Sequence, residues 1–292
     1  MKKWLQRILI FFLGIPAIVA IVMLLPWYNH LVFNLLVTLF SSIGAMELSV
    51  LLRQKNIVIS KAEAAILGAL PPLAMILIIS FNVRTLILPV IIVVSASWLL
   101  VSRILSKGNS LDTFVNRFAA GSVVLLYPGI LLTWLIRMSK WGEISGIIIL
   151  IFISAVFFND GLAWAAGILF GKGNQGLIPA SPNKSIAGFI GGAFASIVVG
   201  TASALLWPAI FEPQFKCSVL EIPAVAGAIL GLFTGIAATL GDLGESALKR
   251  SAGRKDSGNL IPGRGGVLDS IDSIILAAPV FYIFYSLLFK QP

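Results

Sequence analysis

Residues 146–158 read GIIILIFISAVFF, and residues 86–101 read LILPVIIVVSASWLLV. Neither run carries a charged side chain. Apolar and polar residues do not alternate along either, as they would in a barrel strand with one face to lipid and one to a lumen. Runs of this length and uniform apolarity are read as membrane-crossing helices, which need about 20 mostly apolar residues. The rest of the chain agrees: of 292 residues, 58% are hydrophobic and 11% charged, where a soluble domain carries about 25% charged residues. A soluble chain so apolar would lack the polar groups to cover its surface, whereas lipid solvates apolar side chains directly.

The fold class expected is therefore all-α, a polytopic integral membrane protein of about nine transmembrane helices. The spans fall near 8–25, 31–52, 62–81, 85–102, 118–136, 142–170, 187–210, 222–241 and 272–289. The start, MKKWLQR followed by an apolar run to Leu25, has no evident small-residue cleavage site, so it reads as a retained first helix. The sixth span is long enough to tilt or to continue past the membrane. Residues 1–140 form the amino-terminal helices, and 141–292 a carboxyl-terminal catalytic region with a cytoplasmic signature loop at 241–272.

An odd number of spans puts the termini on opposite sides. Of the 21 Lys and Arg residues, only Arg84, Arg137, Lys140, Lys216 and Lys290 fall on the side away from the amino terminus. Positive charge collects in cytoplasmic loops, so the amino terminus is expected in the cytoplasm. The net charge of +9 suits a surface facing anionic membrane lipid. Nucleic acid is a poor partner, since no soluble domain presents a basic face.

The scarce residues exclude much chemistry. Cys217 is the single cysteine and His30 the single histidine. Cys217 reads as an incidental small apolar residue. His30, in a short loop beside Trp27 and Tyr28, reads as interfacial. Histidine-based triads and zinc sites are closed off, and a metal here must take oxygen ligands, which points to magnesium or a similar hard cation.

Five of the twelve carboxylates lie between Asp242 and Asp272, interleaved with five basic residues. The stretch GDLGESALKRSAGRKDSGNLIPGRGGVLDSID, residues 241–272, is a polar island in an apolar chain. Gly171 to Ser185 is a second polar stretch expected on the same side. Asp242, Glu245 and Lys249 have helical spacing and share a face. The Gly-rich half that follows reads as an ordered or ligand-ordered loop. Val267 to Asp272 opens the last span, with Asp269 and Asp272 one turn apart. Carboxylates can hold magnesium, basic side chains can neutralise phosphate oxygens, and glycines let backbone N–H groups approach phosphate. That is equipment for transfer at phosphorus, where catalysis is mainly positioning and charge neutralisation. The blander reading makes Lys249 and Arg250 positive-inside anchors, Asp256 a turn cap and the glycines helix-packing residues. Asp242 and Asp272, at the lip of apolar spans, resist it, because ionisable groups at membrane depth are costly.

The pattern Ser246-x-x-Lys249-Arg250-x4-Lys255-Asp256, then Pro262-Gly263-x-Gly265-Gly266-x-x-Asp269-x-x-Asp272, resembles the signature of the phosphatidate cytidylyltransferase family, also called CDP-diacylglycerol synthases. Gly241-Asp242-Leu243-x-Glu245 before it also fits. Upstream, Asp160, Gly167, Phe170-Gly171, Ser181-Pro182-Asn183-Lys184-Ser185, Gly188 and Gly191-Gly192 resemble the family's second characteristic stretch. More loosely, the likeness reaches Glu47 ahead of Leu51-Leu52.

The resemblance implies a nine-span helical homodimer in the cytoplasmic membrane, with a polar cavity open to the cytoplasm. It implies reaction of CTP with phosphatidate to give CDP-diacylglycerol and pyrophosphate. Asp242 and Asp269 would hold magnesium, with Asp272, Glu245 and Asp256 completing or supporting the site; a second cation, monovalent or divalent, would fit the same carboxylates. Lys184, Lys249, Arg250 and Lys255 would bind phosphate oxygens. Asp160 would position a metal or the lipid head, and Ser181, Ser246, Arg264, Gly265 and Gly266 would line the substrate. Three positions depart from the family: it usually has His at Arg264, Arg at Ser270 and Glu at Ala187. Arg264 keeps a positive donor but cannot act as a base. Other readings are a CTP-dependent transferase acting on a polyprenol or isoprenoid lipid, a lipid or anion transporter, and an inactive scaffold. Against the transporter, the halves show no convincing repeat.

Overall fold

In hydrocarbon each backbone N–H and C=O must find its partner within the segment, and a helix provides that. The computed structural model describes residues 3–57, 59–104, 114–176, 178–214 and 219–290, without the side chains of 3–11 and of Arg103. Cys217, and Lys2, Lys107 and Lys216 of the charge count, lie outside the described residues.

The helices are α1 (Lys3–Leu24), α2 (Trp27–Arg53), α3 (Lys61–Ser80), α4 (Ile87–Ile104), α5 (Phe114–Val124), α6 (Leu131–Arg137), α7 (Ser145–Phe170), α8 (Ile186–Leu206), α9 (Pro223–Ser251) and α10 (Leu268–Leu288). A π-helical turn, Leu125–Ile130, joins α5 to α6, so that Phe114–Lys140 forms one span. Among the described residues, seven helical segments are long and apolar enough to cross a membrane, and the described parts of α1 and α4 add the apolar stretches Phe12–Leu24 and Ile87–Ser102. Each of the nine expected spans falls on a helical segment, seven of which are long and apolar enough to cross by their described residues. The protein is an all-helical, multi-pass membrane protein, and no named strand occurs among the described residues.

The chain divides into two compact units. The first comprises Met1–Lys140 and Leu248–Ile271. Its α3 starts on a capping box, Ser60-x-x-Glu63, in which the Ser60 side chain accepts the Glu63 amide at 3.0 Å. Gly68 on α3 lies against Ala45 and the Ser41 carbonyl on α2, where a β-carbon would collide. Ser41 Oγ reaches the carbonyl oxygens of Gly68 at 2.6 Å and Pro128 at 2.7 Å. Pro128 lacks an N–H and disrupts a regular helix; it sits inside the π-helical turn. At the entry to α2, Tyr28, Asn29 and His30 have φ of 49°, 55° and 58°, a left-handed turn that bulky residues rarely adopt. His30 there is buried, while Trp27 and Tyr28 are exposed, so the turn directs only its aromatic neighbours outward.

The second unit comprises Trp141–Ala247 and Asp272–Pro292. Small residues bring its helices together, as is usual where lipid removes any hydrophobic drive between spans. On α8, β-carbons at Gly188, Gly191 and Gly192 would collide with α7 at Ala163, Ala166 and Asn159 respectively. Gly200 on α8 faces the backbone of Gly227 and Gly231 on α9. Asn159, buried on α7, donates to Ser196 Oγ at 3.2 Å and the Gly235 carbonyl at 3.3 Å, and accepts from Thr239 Oγ1 at 3.3 Å. One amide thereby links α7, α8 and α9. At the far end of α10, Tyr285 is fully buried against Trp141, Phe211 and Phe289 and donates its hydroxyl to the Ile210 carbonyl at 2.7 Å.

Gly231→Val should destabilise this unit by about 1–3 kcal/mol, the usual cost of overpacking. The added β-carbon would run into the Ser196 backbone, which cannot rotate aside as a side chain could. A lowered midpoint of thermal unfolding in detergent checks this.

Candidate active site

In the second unit, the signature begins at the polar stretches that the sequence singles out. α9 does not stop at Gly241 but continues through Ser251, so Asp242, Glu245 and Ser246 are fixed on a rigid helix. Lys184 Nζ pairs with Asp242 Oδ2 at 2.6 Å, with both side chains partly exposed. Lys184 is delivered by a turn in which its amide donates to the Ser181 carbonyl at 3.1 Å. The next residue, Ser185, caps α8 by accepting the Gly188 amide at 3.1 Å. Ser181-Pro182-Asn183-Lys184-Ser185 is thus a capped helix entry that sets a lysine onto α9. Ser246 Oγ donates to Asp242 Oδ1 across a long 3.4 Å.

Asp160 on α7 accepts from Ser273 Oγ at 3.2 and 3.4 Å. Asp272, beside it in sequence, is buried and accepts the Ser273 amide at 2.7 Å. Gly241 lies so close to the Asp272 carbonyl that a β-carbon would not fit. Glu245 is fully buried. Asp160, Asp242, Asp272 and Lys184 are therefore tied together through neighbouring residues of three helices and one turn.

In the first unit, Asp269 stands in the first turn of α10. Lys249 Nζ donates to its Oδ1 at 2.6 Å, with the two side chains only 12% and 6% exposed. Its Oδ2 accepts from the Ser257 amide at 2.9 Å, Ser257 Oγ at 2.8 Å and the Gly266 amide at 2.7 Å. Arg250, Arg254, Lys255, Asp256 and Arg264 are exposed. Arg250 donates to the Arg254 carbonyl at 3.3 Å. A tight turn at residues 261–265, closed by the Arg264 and Gly265 amides on the Ile261 carbonyl, holds Arg264 at its tip.

The glycine-rich loop is ordered, as its spacing suggests, but the glycines serve a purpose other than the one expected. The Gly266 amide goes to a carboxylate of the protein itself, and so do the amides of Val267 and Leu268, which donate to Glu47 at 3.0 and 2.8 Å. A β-carbon at Gly258 or Gly266 would collide with the Glu47 carboxylate, and one at Gly265, where φ is 118°, would lie 2.5 Å from Asp269 Oδ2. These glycines allow close approach of backbone to half-buried carboxylates of the protein itself.

Glu47 is the carboxylate that holds the signature loop and that the motif spacing does not single out. Its signal was available: a lone carboxylate twenty residues into an apolar span is expensive unless something needs it. The departure at Ser270 is occupied by a hydroxyl that donates to the Gly266 carbonyl at 3.3 Å.

Among the described residues, no three Asp, Glu, His or Cys side chains gather as a metal cage. The donors present are carboxylate oxygens, which suit magnesium; that ion keeps several waters and takes one or two carboxylates. Asp242, partly exposed and engaged at Oδ1 only through the long contact with Ser246, fits such a ligand. At Asp269 both oxygens are engaged, Oδ1 by Lys249 and Oδ2 by Ser257 and Gly266, so a cation there would take the place of the Lys249 ammonium at Oδ1.

Two lysine–carboxylate pairs, Lys184–Asp242 and Lys249–Asp269, thus stand on a multi-pass helical membrane scaffold. The profile of the cytidylyltransferase family matches residues 5–288, and the chain belongs to that family. It is 44% identical over 132 residues to a phosphatidate cytidylyltransferase of Synechocystis, covering 43% of this chain and 41% of that one. A phosphatidate cytidylyltransferase of Aquifex aeolicus is 32% identical over 170 residues, 58% of each chain. An Escherichia coli protein described as uncharacterized, YnbB, is 35% identical over 154 residues, 52% of this chain and 47% of that one. The matched stretch thus spans about half the length of these relatives.

Proposed function

We propose that the protein is a phosphatidate cytidylyltransferase, converting CTP and phosphatidate to CDP-diacylglycerol and pyrophosphate. The observation that carries this reading is the placement of signature residues into two lysine–carboxylate pairs, Lys184–Asp242 and Lys249–Asp269, each at 2.6 Å. The family membership and the names of the relatives support it.

A phosphatidate phosphate oxygen attacks the alpha phosphorus of CTP. The new P–O bond forms as the bond from that phosphorus to the alpha–beta bridging oxygen breaks, and pyrophosphate leaves with the electron pair. The attacking phosphate is already an anion, so no side chain need remove a proton, and Arg264 in place of the family's His leaves the reaction feasible. Lys184 and Lys249 supply positive charge to phosphate oxygens, and the exposed Arg250, Lys255 and Arg264 gather the anionic substrates. Asp242 and Asp269 would hold magnesium, which as a Lewis acid neutralises charge on the nucleotide phosphates. The site faces the cytoplasm from the inner membrane, with the amino terminus on that side, and the protein works as a homodimer.

Purified protein incubated with magnesium, CTP and phosphatidate should release pyrophosphate and form a liponucleotide. CDP released with a polyprenol, and no pyrophosphate with phosphatidate, would contradict this reading.

A further inference from the structure

Glu47 lies within α2 and is 210 residues from Ser257 and about as far from the start of α10. Its carboxylate nevertheless lies 3.0 Å from Ser257 Oγ and accepts the Val267 amide at 3.0 Å and the Leu268 amide at 2.8 Å. The amides at a helix start have no partner within the helix, and a carboxylate placed there also meets the positive end of the helix dipole. Here the cap comes from a different helix rather than from the adjoining loop.

The same carboxylate shapes the loop. Gly258 and Gly266 approach it too closely to carry a β-carbon. Ser257 Oγ, with one proton to give, touches both Glu47 Oε2 and Asp269 Oδ2, at 3.0 and 2.8 Å. Asp269 in turn holds Lys249. A continuous chain of contacts therefore runs from a membrane span through one hydroxyl to the lysine–carboxylate pair.

We infer that Glu47 is a positioning residue: it folds the 257–268 loop around itself and thereby sets the geometry of Asp269 and Lys249 for cytidylyl transfer. The catalytic half of this inference rests on the function proposed above. Its structural half does not, and the two can be separated.

The full-length protein in detergent, wild type and Glu47→Gln, is compared by hydrogen exchange and by steady-state kinetics with CTP, phosphatidate and magnesium. Glutamine keeps the shape but sets an NH2 group against N–H donors. Exchange across residues 257–268 should rise by at least about tenfold, with the distal part of α10 unchanged. The kcat should fall by at least about tenfold while KM for phosphatidate stays within about twofold, since positioning acts on the transition state rather than on binding. Ser257→Ala should also loosen the loop and lower kcat, and the double variant should be no slower than Glu47→Gln within about twofold, because residues acting through one chain are not additive. If Glu47→Gln does not reach the membrane, Ser257→Ala decides alone on the same two readouts.

Unchanged exchange in the loop overturns the inference. So does a loosened loop with undiminished kcat, or multiplicative effects in the double variant. If wild type transfers nothing from CTP to phosphatidate, the functional reading falls; the exchange result still decides whether Glu47 holds the loop.

Discussion

Asp269→Asn is expected to lower turnover by about a hundredfold or more, and to destabilise the protein as well. The carboxylate is nearly buried and binds Lys249, Ser257 and Gly266 together. An amide in its place must turn its NH2 either toward the Lys249 ammonium or toward the Ser257 and Gly266 amides. Both choices set donor against donor. Removing one partner of a buried pair costs about 3–5 kcal/mol, because the other charge is left uncompensated. A lost signal in the turnover assay and a lowered unfolding midpoint should appear in the same variant.

Asp242→Asn should abolish turnover with little loss of stability. Asp242 and Lys184 have side chains 33% and 25% exposed, so water screens their attraction, and such pairs contribute about 0–1 kcal/mol. The contrast between the two variants is the informative result. A common loss of activity with divergent stability separates a residue that only meets substrate or cation from one that also holds its own loop together. Wild-type rates in either variant would count heavily against the proposed chemistry.

The membrane fold was legible because apolar runs are long and nearly free of charge. The spacing of Asp242, Glu245 and Lys249 also announces that α9 continues beyond the apolar part of the span. The partners of these residues are another matter. Helical spacing puts Asp242 and Lys249 on one face, yet Asp242 pairs with Lys184 and Lys249 with Asp269. Pairing across tens of residues is set by tertiary packing and leaves no local period to read. The glycines illustrate the same limit. A Gly-rich loop near basic residues suggests backbone reaching for phosphate, and nothing in residues 253–266 reveals that Glu47, in a helix near the amino terminus, occupies that backbone instead. The neighbours Trp27 and Tyr28 suggest an interfacial His30, but a left-handed turn sends it inward, and side-chain direction at such a turn is not encoded in hydropathy.

The fate of the individual phosphorus atoms of CTP tests the proposed reaction most directly. CTP labelled with radiophosphorus at the alpha position, and separately at the gamma position, is given to the purified protein with phosphatidate and magnesium. The expected result is alpha label in the lipid product and gamma label in free pyrophosphate. Gamma label in the lipid would mean phosphoryl rather than cytidylyl transfer, and label in neither product would remove the catalytic role assigned to Asp242 and Asp269.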